Sequence, residues 1–206
     1  LTNSKNRNFD IIGNPQISTT QSKFGKSLYL DGNSYLSTPI TSDLNLSSGD
    51  FTVEWWEYRT SSTDNQVVLS FDDGKDGDYD FIVGSRLSGA ITVSASSNGT
   101  SWNILNGFSL GTAETNKWCH FALVRSGNTF YGFKNGAEIS SITSSSSIYF
   151  NNLTNINLGT RLTNLRDVKF KGYIDELRIS KGIARYTANF TPPTAAYGEI
   201  DEGGIG

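Results

Sequence analysis

The chain has 206 residues, a mass of 22.5 kDa and a net charge of −3, with one cysteine and one histidine. A single cysteine excludes an intrachain disulfide framework, and a single histidine excludes multi-histidine metal sites. The acidic balance without a basic cluster argues against a nucleic-acid partner, and the chain has no run of about 18 apolar residues for membrane insertion. We expect one domain over residues 1–197, followed by a flexible, Gly-rich, acidic tail over residues 198–206.

Short runs of alternating apolar and polar residues follow one another along the chain, separated by Gly and Asn turns, and such runs predict β-strands. In chain order the predicted strands are 27–30, 51–58, 66–71, 79–83, 90–96, 100–105, 118–125, 129–134, 156–159 and 170–179. Asn98-Gly99 and Asn135-Gly136 are predicted to form tight hairpin turns. About ten to twelve strands at this spacing predict an all-β sandwich or barrel, with one helical turn expected near 181–186.

The segment 51–58 is the strongest predicted strand, and alternation divides its side chains between two faces. One face is apolar and is expected to join the core: Phe51, Val53, Trp55. The other places large aromatic side chains beside a carboxylate: Glu54, Trp56, Tyr58. Two interpretations of this second face remain open, a surface half covered by loops or a ligand groove.

Five aspartates within nine residues form the sharpest local signal: Asp72, Asp73, Asp76, Asp78, Asp80. Like charges this close repel one another, and a hard cation with oxygen ligands, such as calcium, relieves that repulsion. Phe81 stands where an EF-hand loop needs Gly, so the segment is not an EF-hand. A calcium site is one prediction for this loop. A solvated hairpin loop, with Lys75 balancing part of the charge, is the alternative.

Several motifs occur in an order and spacing that point to one family. They occupy residues 24–32, 35–36, 51–56, 118–125, 134–136, 171–179, 180–186 and 189–193. Together they resemble the laminin-G-like domains of the concanavalin A-like lectin/glucanase superfamily, in the version found in marine bacterial surface proteins and tailed-phage structural proteins. The resemblance implies a two-sheet antiparallel jelly-roll β-sandwich that frequently binds calcium and recognises glycans or proteins.

The resemblance also implies a second calcium position. In related sandwiches the Asp of the Gly-x-Ile-Asp-Glu strand, which is Asp175 here, helps to hold a structural calcium with backbone carbonyls. Asp31-Gly32 supplies candidate partners, with Gly32 as a backbone ligand. The alternative is that Asp175 pairs with Arg178 or caps a turn.

Catalysis is not expected from this sequence. Glucanases of the resembled superfamily carry a Glu-x-Asp-x-x-Glu pattern on one strand, and the pattern is absent here. Glu54 and Glu57 lie three residues apart, and Asp175-Glu176 are adjacent, so each pair is expected on opposite faces of a strand. Cys119-His120 are also adjacent and make a poor nucleophile–base couple. A divergent glycosidase is the least favoured alternative.

The favoured function is a non-catalytic module that binds a glycan or cell-surface polysaccharide with the help of calcium. The carbohydrate-binding candidates are aromatic: Trp56, Tyr58, Tyr79, Trp102. Trp102 either stacks on a sugar or braces the hairpin that carries it. The alternative function is a structural capsid-decoration or tail-fibre domain with no sugar site.

The predicted setting is an extracellular or virion surface. The chain begins at Leu1 and has no methionine, which predicts a piece of a larger virion or surface protein. Abundant Ser, Thr and Asn with few charged residues predict a polar, hydroxyl-rich surface. The single free Cys119 fits a protein made in a reducing cytosol and displayed on a virion.

Overall fold

The computed structural model describes residues 7–61, 65–72, 81–85, 89–162 and 168–198. The strands are β1 (Asp10–Ile12), β2 (Gln16–Ser18), β3 (Ser27–Asp31), β4 (Tyr35–Pro39), β5 (Phe51–Arg59), β6 (Gln66–Asp72), β7 (Phe81–Ser85), β8 (Ala90–Ala95), β9 (Leu105–Thr112), β10 (Trp118–Ser126), β11 (Thr129–Lys134), β12 (Ala137–Thr143), β13 (Asn155–Leu158), β14 (Thr160–Arg161), β15 (Val168–Lys169) and β16 (Lys171–Lys181). The helical content of these ranges is one 3-10 turn, Ser42–Leu44. They contain no helix with the length and apolar character needed to cross a membrane.

Two antiparallel sheets of seven strands each form the domain. Sheet A has the strand order β1-β4-β13-β6-β7-β8-β9, and sheet B has the order β12-β11-β10-β5-β16-β3-β2. The short β14 and β15 pair with each other beside β6. This arrangement confirms the predicted all-β, two-sheet antiparallel jelly-roll sandwich and excludes a single closed barrel.

The core lies between the sheets, and β5 shows how the sequence builds it. Phe51, Val53 and Trp55 are fully buried, as alternation predicted. The Trp55 ring stacks on Phe121 of the neighbouring β10, with ring centroids 5.6 Å apart. Full burial of one such side chain contributes about 1.5–3 kcal/mol to folding, so this face of β5 anchors the sandwich.

The core face of β5 ends in a buried ion pair. The Arg59 guanidinium donates hydrogen bonds to the Glu57 carboxylate, and both side chains are almost fully buried. Trp55 Nε1 donates to the same carboxylate over 2.8 Å. Glu57 therefore shares the face of Trp55, whereas Glu54 lies on the other face, which confirms that these two carboxylates oppose each other.

The C-terminal segment 182–198, which we call the strap, covers part of the outer face of sheet B. Tyr186 and Phe190 of the strap stack with ring centroids 3.5 Å apart, and the Phe190 ring lies 5.3 Å from that of Phe133. The Phe190 amide donates to the carbonyl of Gly136 over 2.9 Å. The strap thus closes a second, smaller core with Ala122, Val124 and Phe133.

Glu54 is the polar anchor of the strap. Its fully buried carboxylate accepts hydrogen bonds from Arg178 at 2.7 and 2.9 Å and from the Tyr186 hydroxyl at 2.9 Å. Burial alone would raise the pKa of Glu54, but the adjacent His120 and the charge of Arg178 hold it below its usual range. Burial, together with the Glu54 charge, raises the pKa of Tyr186 to about 12.

Local predictions from the sequence had mixed outcomes. The two-residue turn at Asn135-Gly136 is confirmed, with φ of 48° and 80°. The tight turn at Asn98-Gly99 is wrong, because β8 and β9 pair at Ala95 and Leu105 and leave a longer loop, so 100–105 is not a strand of its own. The helical turn near 181–186 is also wrong, since β16 runs to Lys181 and the strap then continues without helix.

We predict that Glu54→Gln destabilises the fold by about 3 kcal/mol at neutral pH, because it leaves Arg178 without its buried partner. The folded pKa of Glu54 is depressed, so its contribution is present above the ordinary value of 4.5 and is lost as the pH falls through the folded value. The difference between wild type and variant should therefore shrink in acid. Urea unfolding between pH 3 and pH 7 measures it. Glu138→Gln, on an exposed position of β12, is the matched control, and an equal loss in both variants at all pH values would contradict the prediction.

Candidate functional site

Four aromatic side chains form a row across the outer face of sheet B, each on a different strand: Tyr29, Tyr58, Trp118, Tyr173. We call them the aromatic row. Trp118 lies directly opposite Tyr58, Tyr58 opposite Tyr173, and Tyr173 opposite Tyr29. Cross-strand partners share a face, so the rings project to the same side.

The rings of the row touch one another and remain partly exposed. The centroid distances are 5.7 Å from Trp118 to Tyr58, 5.8 Å from Tyr58 to Tyr173 and 4.9 Å from Tyr173 to Tyr29. Trp118 Nε1 donates to Gln21 Oε1 over 3.3 Å, which fixes one end. Three strand spacings make the row roughly 14 Å long. The result is a continuous aromatic surface that is partly exposed to solvent.

Trp56 does not belong to this surface, which corrects its assignment as a carbohydrate-binding residue. Its side chain is only 6% exposed. The Lys23 ammonium lies 4.1 Å from its ring centroid, and the Phe24 ring packs against it edge-on at 6.1 Å. Tyr58, two residues along β5, is partly exposed and lies in the aromatic row. The outer face of β5 is thus half covered, and only its Tyr58 end is open.

Asp175 holds the turn that covers Trp56. Its Oδ2 accepts hydrogen bonds from the backbone amides of Lys23 and Phe24 at 2.8 and 3.0 Å. Asp175 is directly opposite Trp56 and is almost fully buried. An oxygen that faces two N–H groups is poorly placed for a cation, so the geometry favours the turn-capping alternative for this residue over the metal-binding one.

Gly32 lies far from Asp175, so the structure does not bring these two proposed calcium ligands together. Lys171 pairs with Asp31 beside Gly32, and Asp175 follows four residues later on β16, roughly 13 Å away. A Cβ placed on Gly32 would touch the Lys171 side chain at 3.6 Å. A cation at Gly32 would therefore lie beside the stem of a positively charged side chain, which is unfavourable.

A cleft of about 630 Å³ opens beside the aromatic row. Its lining includes Asp31, Asn33, Gln66, Lys169 and Lys171. Lys171 is two residues from Tyr173, and Asp31 is two residues from Tyr29, so these two side chains lie on the face that carries the row. The cleft therefore borders the Tyr29–Tyr173 end of the row.

Asp72, at the end of β6, and Trp102, in the loop between β8 and β9, both lie near Arg161 of β14. The buried Asp72 carboxylate accepts hydrogen bonds from Ser70 Oγ at 2.6 Å and Asn157 Nδ2 at 2.9 Å. Burial raises the pKa of Asp72, although these hydrogen bonds and the charge of Arg161 oppose the rise. The Arg161 guanidinium lies 5.9 Å from the partly exposed Trp102 ring.

This second region has two unsatisfied polar atoms. Asn157 Oδ1 and Thr160 Oγ1 are buried without a hydrogen-bond partner among the described residues. The Asp72 carboxylate, by contrast, is already surrounded by N–H and O–H donors. That environment suits a fixed hydrogen-bond acceptor better than a calcium ligand.

The rest of the predicted calcium loop, Asp73, Asp76, Asp78 and Asp80, lies outside the described residues, as does Tyr79. The predicted tail beyond residue 198 does too. Over the ranges that the structure does describe, no group of three or more His, Cys, Asp or Glu side chains is arranged to hold a metal ion. The calcium prediction therefore rests on the acidic loop alone.

Cys119 and His120 occupy opposite faces, as predicted. Cys119 belongs to the core between the sheets, where burial raises the pKa of its thiol. His120 is buried on the outer face, with its ring 5.1 Å from Trp56 and 5.8 Å from Phe190. The two side chains point apart, so they do not form a nucleophile–base pair.

Sequence analysis missed three members of the aromatic row, Tyr29, Trp118 and Tyr173, together with Lys171 in the cleft. Each lies in a predicted strand, but single-strand alternation gives no strand order. The signal that would have found them is the register of β3, β16, β5 and β10. Asn157 of β13 was missed for the same reason, whereas Arg161 of β14 lies outside the predicted strands.

Solved structures with a similar fold come from several proteins. Domain 4 of an extracellular arabinanase from Geobacillus stearothermophilus, in complex with arabinotriose, is 22% identical, with 85% of this chain and 83% of that chain covered and a TM-score of 0.65. The CBM40 domain of the Ruminococcus gnavus IT-sialidase, bound to α2,3-sialyllactose, is 14% identical, with 78% and 91% covered and a TM-score of 0.58. At these identities the similarity shows a shared fold.

A third similar structure comes from botulinum neurotoxin type C, a toxin whose cell entry depends on interaction with two ganglioside molecules. It is 13% identical to this chain, with a TM-score of 0.63. The match covers 86% of this chain and 44% of that chain, so this domain spans less than half of the toxin structure.

No curated protein sequence matches the chain. The laminin-G-like family model described as concanavalin A-like lectin/glucanases superfamily matches residues 30–184. This match covers most of the chain and agrees with the two seven-stranded sheets, and the chain therefore belongs to the concanavalin A-like lectin/glucanase superfamily.

Proposed function

We propose that this domain is a non-catalytic module that binds a glycan across the aromatic row of sheet B. The observation that carries the proposal is the register of Tyr29, Tyr173, Tyr58 and Trp118, which aligns four partly exposed rings on adjacent strands. A soluble domain normally scatters its exposed aromatic side chains singly. A continuous row across four strands is the kind of surface that binding requires.

The chemistry of the row suits sugars. A sugar ring has an apolar C–H face, which packs on the face of an aromatic ring, and a rim of hydroxyl groups. Within the described residues, the hydroxyls of Tyr29, Tyr58 and Tyr173 make no hydrogen bond to protein groups. They are available as donors and acceptors for the sugar rim.

The described carboxylates support binding without hydrolysis. Glycoside hydrolysis usually needs two carboxyl groups that flank the scissile bond. The cleft beside the row is lined by one carboxylate, that of Asp31, among the described residues. Glu54 and Glu57 lie on opposite faces of β5, and each is bonded to arginine. Asp175 and Glu176 do not alternate as predicted, because a bulge interrupts β16 there, and both accept hydrogen bonds from backbone amides.

The structural relatives support a glycan as the class of ligand. The arabinanase domain was solved with arabinotriose and the sialidase domain with α2,3-sialyllactose. These sugars differ in composition and charge, so the shared fold accommodates more than one type of glycan. The side chains of this chain, rather than its fold, therefore determine which sugar it binds.

We predict that Tyr58→Ala and Tyr173→Ala each weaken polysaccharide binding about fivefold to tenfold, because each removes one stacking surface from the middle of the row. A glycan array identifies ligands of the wild-type domain, and calorimetry measures the affinities of the variants. Both side chains are partly exposed, so the melting temperature should change little. Tyr58→Phe and Tyr173→Phe keep the rings and separate stacking from hydrogen bonding.

Trp102→Ala is the control that tests the other candidate surface. It removes the partly exposed ring near Asp72 and Arg161, on the side of sheet A, and should leave binding unchanged. Loss of binding in Trp102→Ala, with normal binding in the Tyr58 and Tyr173 variants, would move the site to sheet A. A wild-type domain that binds no glycan would refute the proposed function and favour the structural alternative.

We further propose that calcium binds the acidic loop that follows Asp72. The support is the charge density of the sequence there, which a hard cation would compensate. Calcium at about a hundred times its dissociation constant should raise the melting temperature by roughly 5–10 °C. The double variant Asp76→Asn with Asp78→Asn should lose this shift, whereas Asp10→Asn, on the exposed β1, should keep it. An unchanged wild-type melting temperature in calcium and in chelator would contradict the proposal.

The proposed setting is the surface of a virion or cell, where the domain forms part of a larger protein. The support is the motif resemblance and the hydroxyl-rich, weakly charged sequence. A glycan-binding module in that setting provides adhesion. The structural alternative, a decoration or fibre domain, needs no open aromatic row.

A further inference from the structure

We propose that Gln21 helps to select the glycan by donating a hydrogen bond to a sugar hydroxyl group at the Trp118 end of the aromatic row. Gln21 belongs to the segment 19–26 between β2 and β3, which we call the β2–β3 loop. This inference rests on the proposed function, since it adds a polar contact to the aromatic surface that binds the sugar.

The β2–β3 loop lies along one side of the row. Asp175 of β16 accepts the two backbone amides of the 23–24 turn, and this turn also covers Trp56 of β5. Gln21 reaches the indole of Trp118 on β10. Asp175 and Trp56 each lie two positions along their strands from a tyrosine of the row, so they share its face. The loop therefore runs beside the row from β16 to β10.

The backbone of Gln21 is held on both sides. Its amide donates to Ser18 Oγ over 3.1 Å, and its carbonyl accepts from the Ser27 hydroxyl over 2.5 Å. Ser18 and Ser27 lie directly opposite each other on β2 and β3, and Ser27 is buried. The two serines thus tie Gln21 to the base of its loop.

The indole of Trp118 fixes which way the Gln21 amide points. An indole N–H can only donate, so the atom that faces Trp118 Nε1 at 3.3 Å is the oxygen of Gln21. The NH2 group of the same amide therefore points away from Nε1. Among the residues that the structure describes, this NH2 group has no hydrogen-bond partner, and it is not a buried atom. Its two N–H donors are available to a ligand.

Trp118 and Gln21 together offer the two kinds of contact that a sugar makes. The partly exposed Trp118 ring lies beside that of Tyr58, and the C–H face of a sugar can pack on these rings. A hydroxyl group on the rim of that sugar can then accept from the amide at the edge of the indole. Because Trp118 orders this amide before any ligand binds, less conformational entropy is lost than with a mobile side chain.

The test removes the donor and keeps the acceptor. Gln21→Glu retains an oxygen for Trp118 Nε1 but has no N–H to donate. We expect it to bind the strongest oligosaccharide ligand from the glycan array about threefold to tenfold more weakly. Calorimetry in about 0.5 M NaCl measures this loss while the salt screens the added charge. Gln16→Glu, on an exposed position of β2, adds the same charge and should bind normally.

Analogues of that oligosaccharide, each lacking one hydroxyl group, identify the group that Gln21 contacts. One analogue should bind the wild-type domain as weakly as Gln21→Glu binds the parent sugar, and Gln21→Glu should cause no further loss with it. Equal further losses with every analogue would overturn the inference.

Gln21→Met has neither donor nor acceptor and tests whether Gln21 only positions the indole. Normal binding by Gln21→Glu with weak binding by Gln21→Met would show a positioning role alone and overturn the inference. Normal binding by Gln21→Met would overturn it even if Gln21→Glu did not fold, and so would an equal loss from Gln16→Glu. In each of these cases the proposed function stands if Tyr58→Ala weakens binding. A wild-type domain that binds no glycan would refute both.

Discussion

The central strand β5 is buried on both of its faces, and this constraint organises the outer surface of sheet B. One face supplies the core through Phe51, Val53 and Trp55, with Glu57 and Arg59 paired at its end. The other face carries Glu54, whose buried carboxylate accepts hydrogen bonds from Arg178 and Tyr186. The hydrogen bond from Tyr186 to this carboxylate holds the strap against the sheet. Where the strap and the 22–25 turn stop, the surface opens at the aromatic row.

The division between covered and open surface explains why neighbouring aromatic residues have different roles. Trp56 and Tyr58 are two residues apart on the same face of β5. Trp56 lies under Lys23 and Phe24 because Asp175 fixes their turn, whereas Tyr58 lies beyond its reach. Alternation places both side chains on the outer face, but it does not predict which of them is exposed to solvent. That depends on a turn about 30 residues away in sequence and on a strand more than 100 residues away.

Much of the fold follows from local pattern. Alternation in 51–58 predicted both faces of β5 correctly, and the Asn135-Gly136 dipeptide predicted its turn because both positions need positive φ. The Asn98-Gly99 dipeptide misled, because Asn98 Oδ1 instead accepts the amides of Thr100 and Ser101 and shapes a longer loop. The site was harder to predict. Alternation within one strand identified Tyr58, but its partners Tyr173 and Trp118 can be identified only when the order of the strands in the sheet is known. Asp175 was recognised as important, but its partners are backbone amides, which no sequence motif identifies.

The separation between neighbouring rings of the row is fixed by the backbone hydrogen bonds that join the strands. Replacing one ring can change how strongly its position holds a ligand, but it cannot alter the pitch at which the others repeat. Relatives with this strand order would therefore keep the same spacing between these positions. They would differ in whether each position carries an aromatic, polar or small residue. Selectivity for chain length and monomer pattern then evolves through single substitutions, without any need to rebuild the scaffold.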